Sequence, residues 1–330
     1  MIAPQADRAR RCSADVPSFL RKTSAKPHNS GMTNSPDKPA VDQPTMGTVQ
    51  TTGTRRVLTA FLNSPPFAGM SPWILMALLT GPGRFEEAAA SAFVLSLILV
   101  VGGHRRGSRI KLLEVFDVAY FGSMAALALF ASAGVIEWLE KWGGGEMTNI
   151  ALVAFALGSI LVRQPFTLQY ARESTDEEVW DSPLFLRINY VITWAWVAGF
   201  GVAAVSGAVG DLVLDDSNNF WTGWIIQIGG TVFAIAFTEF YPPDFATYRA
   251  AVREGWDTDE KPQSMLHLFD WVPIFVLAIG IAGLLTDELS TVTGIVVIVV
   301  GAVGIGAFRQ LTSSFDARLA QAAPRASKTA

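Results

Sequence analysis

The sequence predicts an all-α, polytopic transmembrane helix bundle of about eight spans behind a disordered, polar N-terminal tail. Three observations predict it. Half of the 330 residues are apolar, only 16% are charged, and the mean hydropathy is positive. The charges gather at the chain ends and in short segments, whereas a soluble fold spreads them along the wet face of every amphipathic element. Lys and Arg also fall almost wholly on one side of the alternation that the apolar runs impose.

Residues 1–53 carry Arg8, Arg10, Arg11, Arg21, Lys22, Lys26 and Lys38 among Ser, Thr, Pro and Asp. They contain no apolar run of signal-peptide length and too little apolar surface to bury, so they read as a disordered tail. Met32 and Met46 are candidates for an alternative start. About 20 residues are needed to cross ~30 Å of hydrocarbon at about 1.5 Å per residue. The runs that qualify are Phe67–Gly81, Glu86–Gly103, Val115–Ile136, Met147–Val162, Leu186–Val209, Phe220–Phe240, Leu268–Leu285 and Leu289–Phe308. The first carries Pro65 and Pro66 before it and Pro72 within, so a re-entrant or interfacial segment is its alternative. The membrane part divides into residues 54–245, with six spans, and residues 246–310, a linker with two more. Residues 311–330 form a C-terminal tail.

With a cytosolic N-terminus, 23 of the 25 Lys and Arg lie on the cytosolic side, and only Arg84 and Lys141 lie outside. Both termini are therefore expected in the cytosol. The outer loops are acidic, with Glu137, Glu140 and Glu146, then Asp211, Asp215 and Asp216, then Asp287 and Glu288. They serve either solvation or attraction of cations. Gly199, Ala203 and Gly207 repeat every four residues on the fifth span; Gly122 with Ala126, and Gly301 with Gly304 and Gly306, do the same on the third and eighth. Such stripes let backbones approach, within one bundle or between two copies. Trp73, Trp138, Trp142, Trp180, Trp194, Trp221 and Trp271 lie near span ends and read as an interfacial belt.

Several chemistries are excluded. The single Cys12 rules out an intramolecular disulfide and a cysteine-based zinc site. No basic domain points to nucleic acid. Glu86-Glu87 is reminiscent of one class of intramembrane metalloprotease, but Ser91 stands where that class needs arginine and no histidine lies in mid-span. No phosphate loop, dinucleotide fingerprint or hydrolase motif occurs, so neither a cofactor nor catalysis is expected.

Ionisable groups at membrane depth are costly and mark function. Glu114 and Asp117 share one helix face at the start of the third span, as a relay or as a rim pair for Arg109 or Lys111. A polar path would have Asp117, Gln227, Glu239 and Asn189 as its candidates, and Glu239 is placed to pair with Arg163 or Arg187. The densest polar stretch leaves the fourth span at Arg163-Gln164-Pro165 and continues through Thr167, Gln169, Tyr170, Arg172 and Glu173. Asp176, Glu177, Glu178, Trp180, Asp181 and Pro183 follow, and the next span opens with Leu186, Arg187 and Asn189. Pro165 predicts a helix end or kink near Gln164. This hairpin is either a docking site or a structural elbow.

At this hairpin the chain resembles the intracellular septation protein A family of bacterial inner-membrane proteins. The likeness covers roughly residues 60–245. It rests on the basic-x-Pro exit Arg163-Gln164-Pro165, on the loop with Glu173, Trp180 and Pro183, and on Leu186-Arg187-Ile188-Asn189 opening an aromatic span. The resemblance implies location in the bacterial inner membrane and a role in envelope maintenance or division through contacts with other membrane or division proteins, without catalysis. Beside a partner-binding protein surrounded by the lipid bilayer, the sequence leaves open a small-solute or ion transporter and, with no motif in its favour, an intramembrane enzyme.

Overall fold

Helices are the only regular elements among the described residues of the computed structural model, which are 65–80, 83–140, 145–216, 218–242, 246, 249 and 264–322. The expected tail over 1–53 and most of the linker after residue 245 lie outside them. In chain order the helices are α1 (Pro65–Leu79), α2 (Phe85–Arg105), α3 (Leu112–Phe130), α4 (Ala133–Trp138), α5 (Glu146–Leu161), α6 (Thr167–Ser174), α7 (Pro183–Leu212), α8 (Ile226–Phe240), α9 (Val272–Leu285) and α10 (Thr291–Ala322). A π-helical turn, Phe220–Ile225, leads into α8, and 3₁₀ turns Glu177–Val179 and Met265–Phe269 precede α7 and α9.

Among the described residues six helices, counted with the turns that lead into α8 and α9, are long and apolar enough to cross a bilayer, the pattern of a multi-pass membrane protein. The first and fourth expected spans are shorter. Helix α1 has 15 residues and α5 has 16, about 22 and 24 Å of rise. The third span ends earlier than expected, because Ala131 and Ser132 are extended and Ser132 restarts the chain as α4. The eighth runs on: α10 has 32 residues, so much of the expected C-terminal tail is helical. No Gly or Pro interrupts residues 307–322, which explains the continuation.

The exit of α5 is a Schellman turn. The Gln164 N–H donates to the Ser159 carbonyl and the Arg163 N–H to that of Ile160, and Arg163 takes φ +59°. The Ser159 hydroxyl then accepts the Phe166 N–H. The helix end expected near Gln164 is thus present.

Helix α2 packs between α1 and α3, α7 between α5 and α8, and α9 against α10. A chain of rings joins the first two groups: Trp73 stacks on Tyr120 at 4.9 Å, Phe116 on Phe155 at 4.7 Å, Phe155 meets Phe166 at 5.5 Å, and Phe166 meets Trp196 at 6.2 Å. Each such pair adds about 0.5–1.5 kcal/mol to the burial of its surface. Glycines set the closest helix contacts. A Cβ on Gly199 would lie 2.5 Å from the Gly230 carbonyl oxygen, and one on Gly301 2.5 Å from the Leu277 nitrogen. Gly199 and Gly301 therefore serve packing inside the chain, whereas Gly306 meets nothing within 4 Å. Outward faces stay apolar, as Val292, Val303 and Leu129 show, which suits lipid as the surrounding solvent.

Candidate functional site: the polar hairpin end

The hairpin between α5 and α7 is fastened on two sides. Toward α7, the Thr167 hydroxyl lies 3.0 Å from the Asn189 carbonyl oxygen and 2.8 Å from the Thr193 hydroxyl. The Asn189 side chain donates to the Phe185 carbonyl, and its own Oδ1 is buried without a partner among the described residues. Toward α3, Gln169 Oε1 accepts the Leu112 N–H, one of the donors that a helix start leaves unpaired. Glu114 accepts another, from Lys111.

Lys111 is the hub. Its side chain is only 8% exposed, and its Nζ lies 3.1 Å from Glu173 and 3.4 Å from Glu114. It also sits 5.1 Å from the ring centroid of Tyr170. Tyr170 is buried against α1, where a Cβ on Gly69 would come within 2.7 Å of the phenol oxygen. Burial, and then the carboxylates of Asp117, Glu114 and Glu173, push the Tyr170 phenol well above the usual tyrosine value, so it stays neutral. Its hydroxyl has no hydrogen-bond partner among the described residues.

Asp117 lies one turn deeper than Glu114. It is not a rim partner of Arg109 or Lys111 as expected, but is 2% exposed and accepts the Trp73 indole N–H at 2.7 Å. Lys111 pairs with Glu114 instead, because the shorter i,i+3 step keeps both at the helix start. Trp73 is correspondingly an interior residue, in contrast to Trp138, Trp194 and Trp221, which are exposed as a belt requires.

The outer rim of the hairpin is open. Arg163, Gln164, Glu173, Asp176, Glu177, Glu178 and Asp181 are exposed, while Pro165 is buried. Trp180 lies between two cations, 5.4 Å from Arg172 and 6.0 Å from Arg109. The structure therefore gathers Thr167, Gln169, Tyr170, Arg172, Glu173, Trp180 and Asn189 with α3 and α7, and turns Arg163 and Gln164 outward.

It does not gather the expected path. Gln227 sits at the opposite end, where Asn149 donates to it at 3.0 Å and it donates to the Thr222 carbonyl at 3.1 Å. Glu146 reaches the same place over Gly207, at which a Cβ would overlap its carboxylate. Glu239 is exposed and forms no ion pair with Arg163 or Arg187; the neighbouring α7–α8 bond runs from the Trp196 indole to Thr238. Between these levels α7 and α8 are closed by Gly199, Ala203, Gly230 and Ala234, all buried. No group of three or more His, Cys, Asp or Glu among the described residues could hold a metal ion.

Sequence reasoning missed Gly69 and Trp73 as parts of this end. Their four-residue spacing on α1 was the available signal, since it places a small residue and an indole donor on one face. No family model, curated protein or solved structure matches the chain.

Proposed function

We propose that the chain is a non-enzymatic, eight-span protein of the bacterial inner membrane, with both termini cytosolic, that binds other membrane or division proteins through the hairpin of residues 163–189. The likeness to the intracellular septation protein A family supports this reading at the same residues. The observation that carries it is the contrast within the hairpin: its inner face is pinned by Lys111, Gln169, Thr167 and Asn189, while its rim leaves four carboxylates exposed at Asp176, Glu177, Glu178 and Asp181. A surface held rigid before binding loses little conformational freedom when a partner docks. Transport is less well supported, because the small-residue closure between α7 and α8 separates Asn189 from Gln227. The open groove of about 550 Å³ along α7 and α8 is lined by Ala198, Val202, Val205 and Ile226, not by the path candidates.

The test is in vivo photocrosslinking from positions 164, 177 and 181 of the full-length chain. A discrete set of membrane or division proteins is expected, lost when Asp176, Glu177, Glu178 and Asp181 are replaced by Asn or Gln. An identical set from this variant, or capture no different from that at lipid-facing Val303, would contradict the proposal.

A further inference from the structure

We propose that His267 is a proton-operated latch that holds the polar extension of α10 to the turn in front of α9. The His267 ring bridges two carboxylates: Nδ1 lies 2.8 Å from Asp270 Oδ2, and Nε2 lies 2.7 Å from Asp316 Oδ2. A carboxylate only accepts hydrogen bonds, and a neutral imidazole carries a single N–H. Both contacts form together only if the group holds a second proton. Both carboxylates reach solvent, with side chains 44% and 32% exposed, so that proton belongs to the ring, the most basic of the three groups.

The position makes this bridge a latch. Asp316 lies eight residues beyond Phe308, where the apolar run of α10 ends, so it stands about 12 Å further along the helix. Its Oδ1 also accepts the Ser264 N–H at 2.8 Å, and the Ser264 hydroxyl accepts the Leu266 N–H. One aspartate on α10 thus fastens both the start of the turn and its histidine. Deeper in, α9 and α10 are joined by apolar contacts at Gly280, Gly294 and Gly301, which carry no charge and do not respond to pH.

Facing the ring are Asp270 from its own turn and Asp316 from α10. The titratable residues of the other element packed on the turn, α8 with its end, are Glu239 and Tyr241, and neither bonds the ring. The nearest cations on α10 are Arg309 and Arg318, the latter 5.7 Å from the Phe315 ring. The imidazolium makes both bonds, and losing its proton removes one. The latch is therefore closed at low pH and opens as pH rises through the titration of the folded ring. Partial burial opposes the charged form, but the hydrogen bonds and charges of Asp316 and Asp270 together outweigh it, so that titration lies above the ordinary histidine value of about 6.5.

The experiment uses the full-length chain in lipid nanodiscs, with His28→Gln and His104→Gln leaving His267 as the single imidazole. Its titration is followed by NMR, and hydrogen exchange of residues 264–270, corrected for the intrinsic pH dependence, is compared at pH 6 and pH 9. The ring is expected to titrate above 6.5, and exchange to speed up by about tenfold at pH 9. Asp316→Asn should reduce the upward shift, and His267→Gln should flatten the pH dependence of exchange. Titration at or below the ordinary value, or exchange that is flat with pH in the chain retaining His267, would overturn the latch. The titration needs no variant at the latch itself, so misfolding of either latch variant does not obscure the result.

Discussion

Replacing Lys111 by methionine is expected to destabilise the full-length chain by about 3 kcal/mol, because it leaves buried carboxylate charge without its counter-ion. Methionine keeps most of the stem that lies across Tyr170 and removes only the ammonium. Glu114 takes the larger part of the loss, since its side chain is 15% exposed, whereas Glu173 at 34% regains water more easily. The cost therefore depends on the partners. Adding Glu114→Gln and Glu173→Gln to Lys111→Met should recover more than half of the loss, because no charge then remains buried unpaired. Chemical unfolding in detergent, followed by tryptophan fluorescence, measures both. A single-variant loss under about 1 kcal/mol would show that the cage is an ordinary surface pair.

The second large effect belongs to the α7–α8 crossing. At Gly199 the obstacle to a side chain is the Gly230 backbone carbonyl, 2.5 Å from the Cβ position, and the reciprocal distance at Gly230 is 2.6 Å. A carbonyl inside a helix cannot turn aside as a flexible side chain can, so the two helices must move apart as units. Gly199→Val is expected to cost about 3 kcal/mol, at the upper end for overpacking. Gly201→Val, two residues on, meets nothing within 4 Å and should change stability by less than about 0.5 kcal/mol. Thermal unfolding of the pair in the same detergent reads the difference. Equal melting behaviour would mean that the helices do not cross at Gly199.

What the sequence revealed and what it hid follow from the range of the interactions involved. The apolar spans are legible because the thickness of the hydrocarbon layer fixes their length from local composition. The end of α5 is legible because Pro165 restricts the residue before it, and the turn duly closes at Arg163 and Gln164. The pairing of Trp73 with Asp117 is not legible: it joins residues 44 apart, and nothing local separates an interior indole from an interfacial one. Asp117 looks like a rim residue by its distance from the loop, yet the helix periodicity turns it inward beneath Glu114. Glu239 shows the opposite error. Its expected level matches that of Arg163 and Arg187, but all three side chains are exposed and no ion pair joins Glu239 to either arginine, so level alone does not bring them together. His267 drew no attention because its distant partner, Asp316, lies on a helical extension that composition had assigned to a tail.

All of this rests on a bundle with one basic and one acidic face on opposite sides of a bilayer. Arg105 ends α2 at the basic face, and Asp215 follows α7 at the acidic one; both are exposed. With Cys12→Ser as background, Arg105→Cys and Asp215→Cys place single thiols at these points. A membrane-impermeant maleimide added to intact spheroplasts should label the chain carrying Asp215→Cys and spare the one carrying Arg105→Cys until the membrane is opened. Labelling of both from the same compartment would contradict the account.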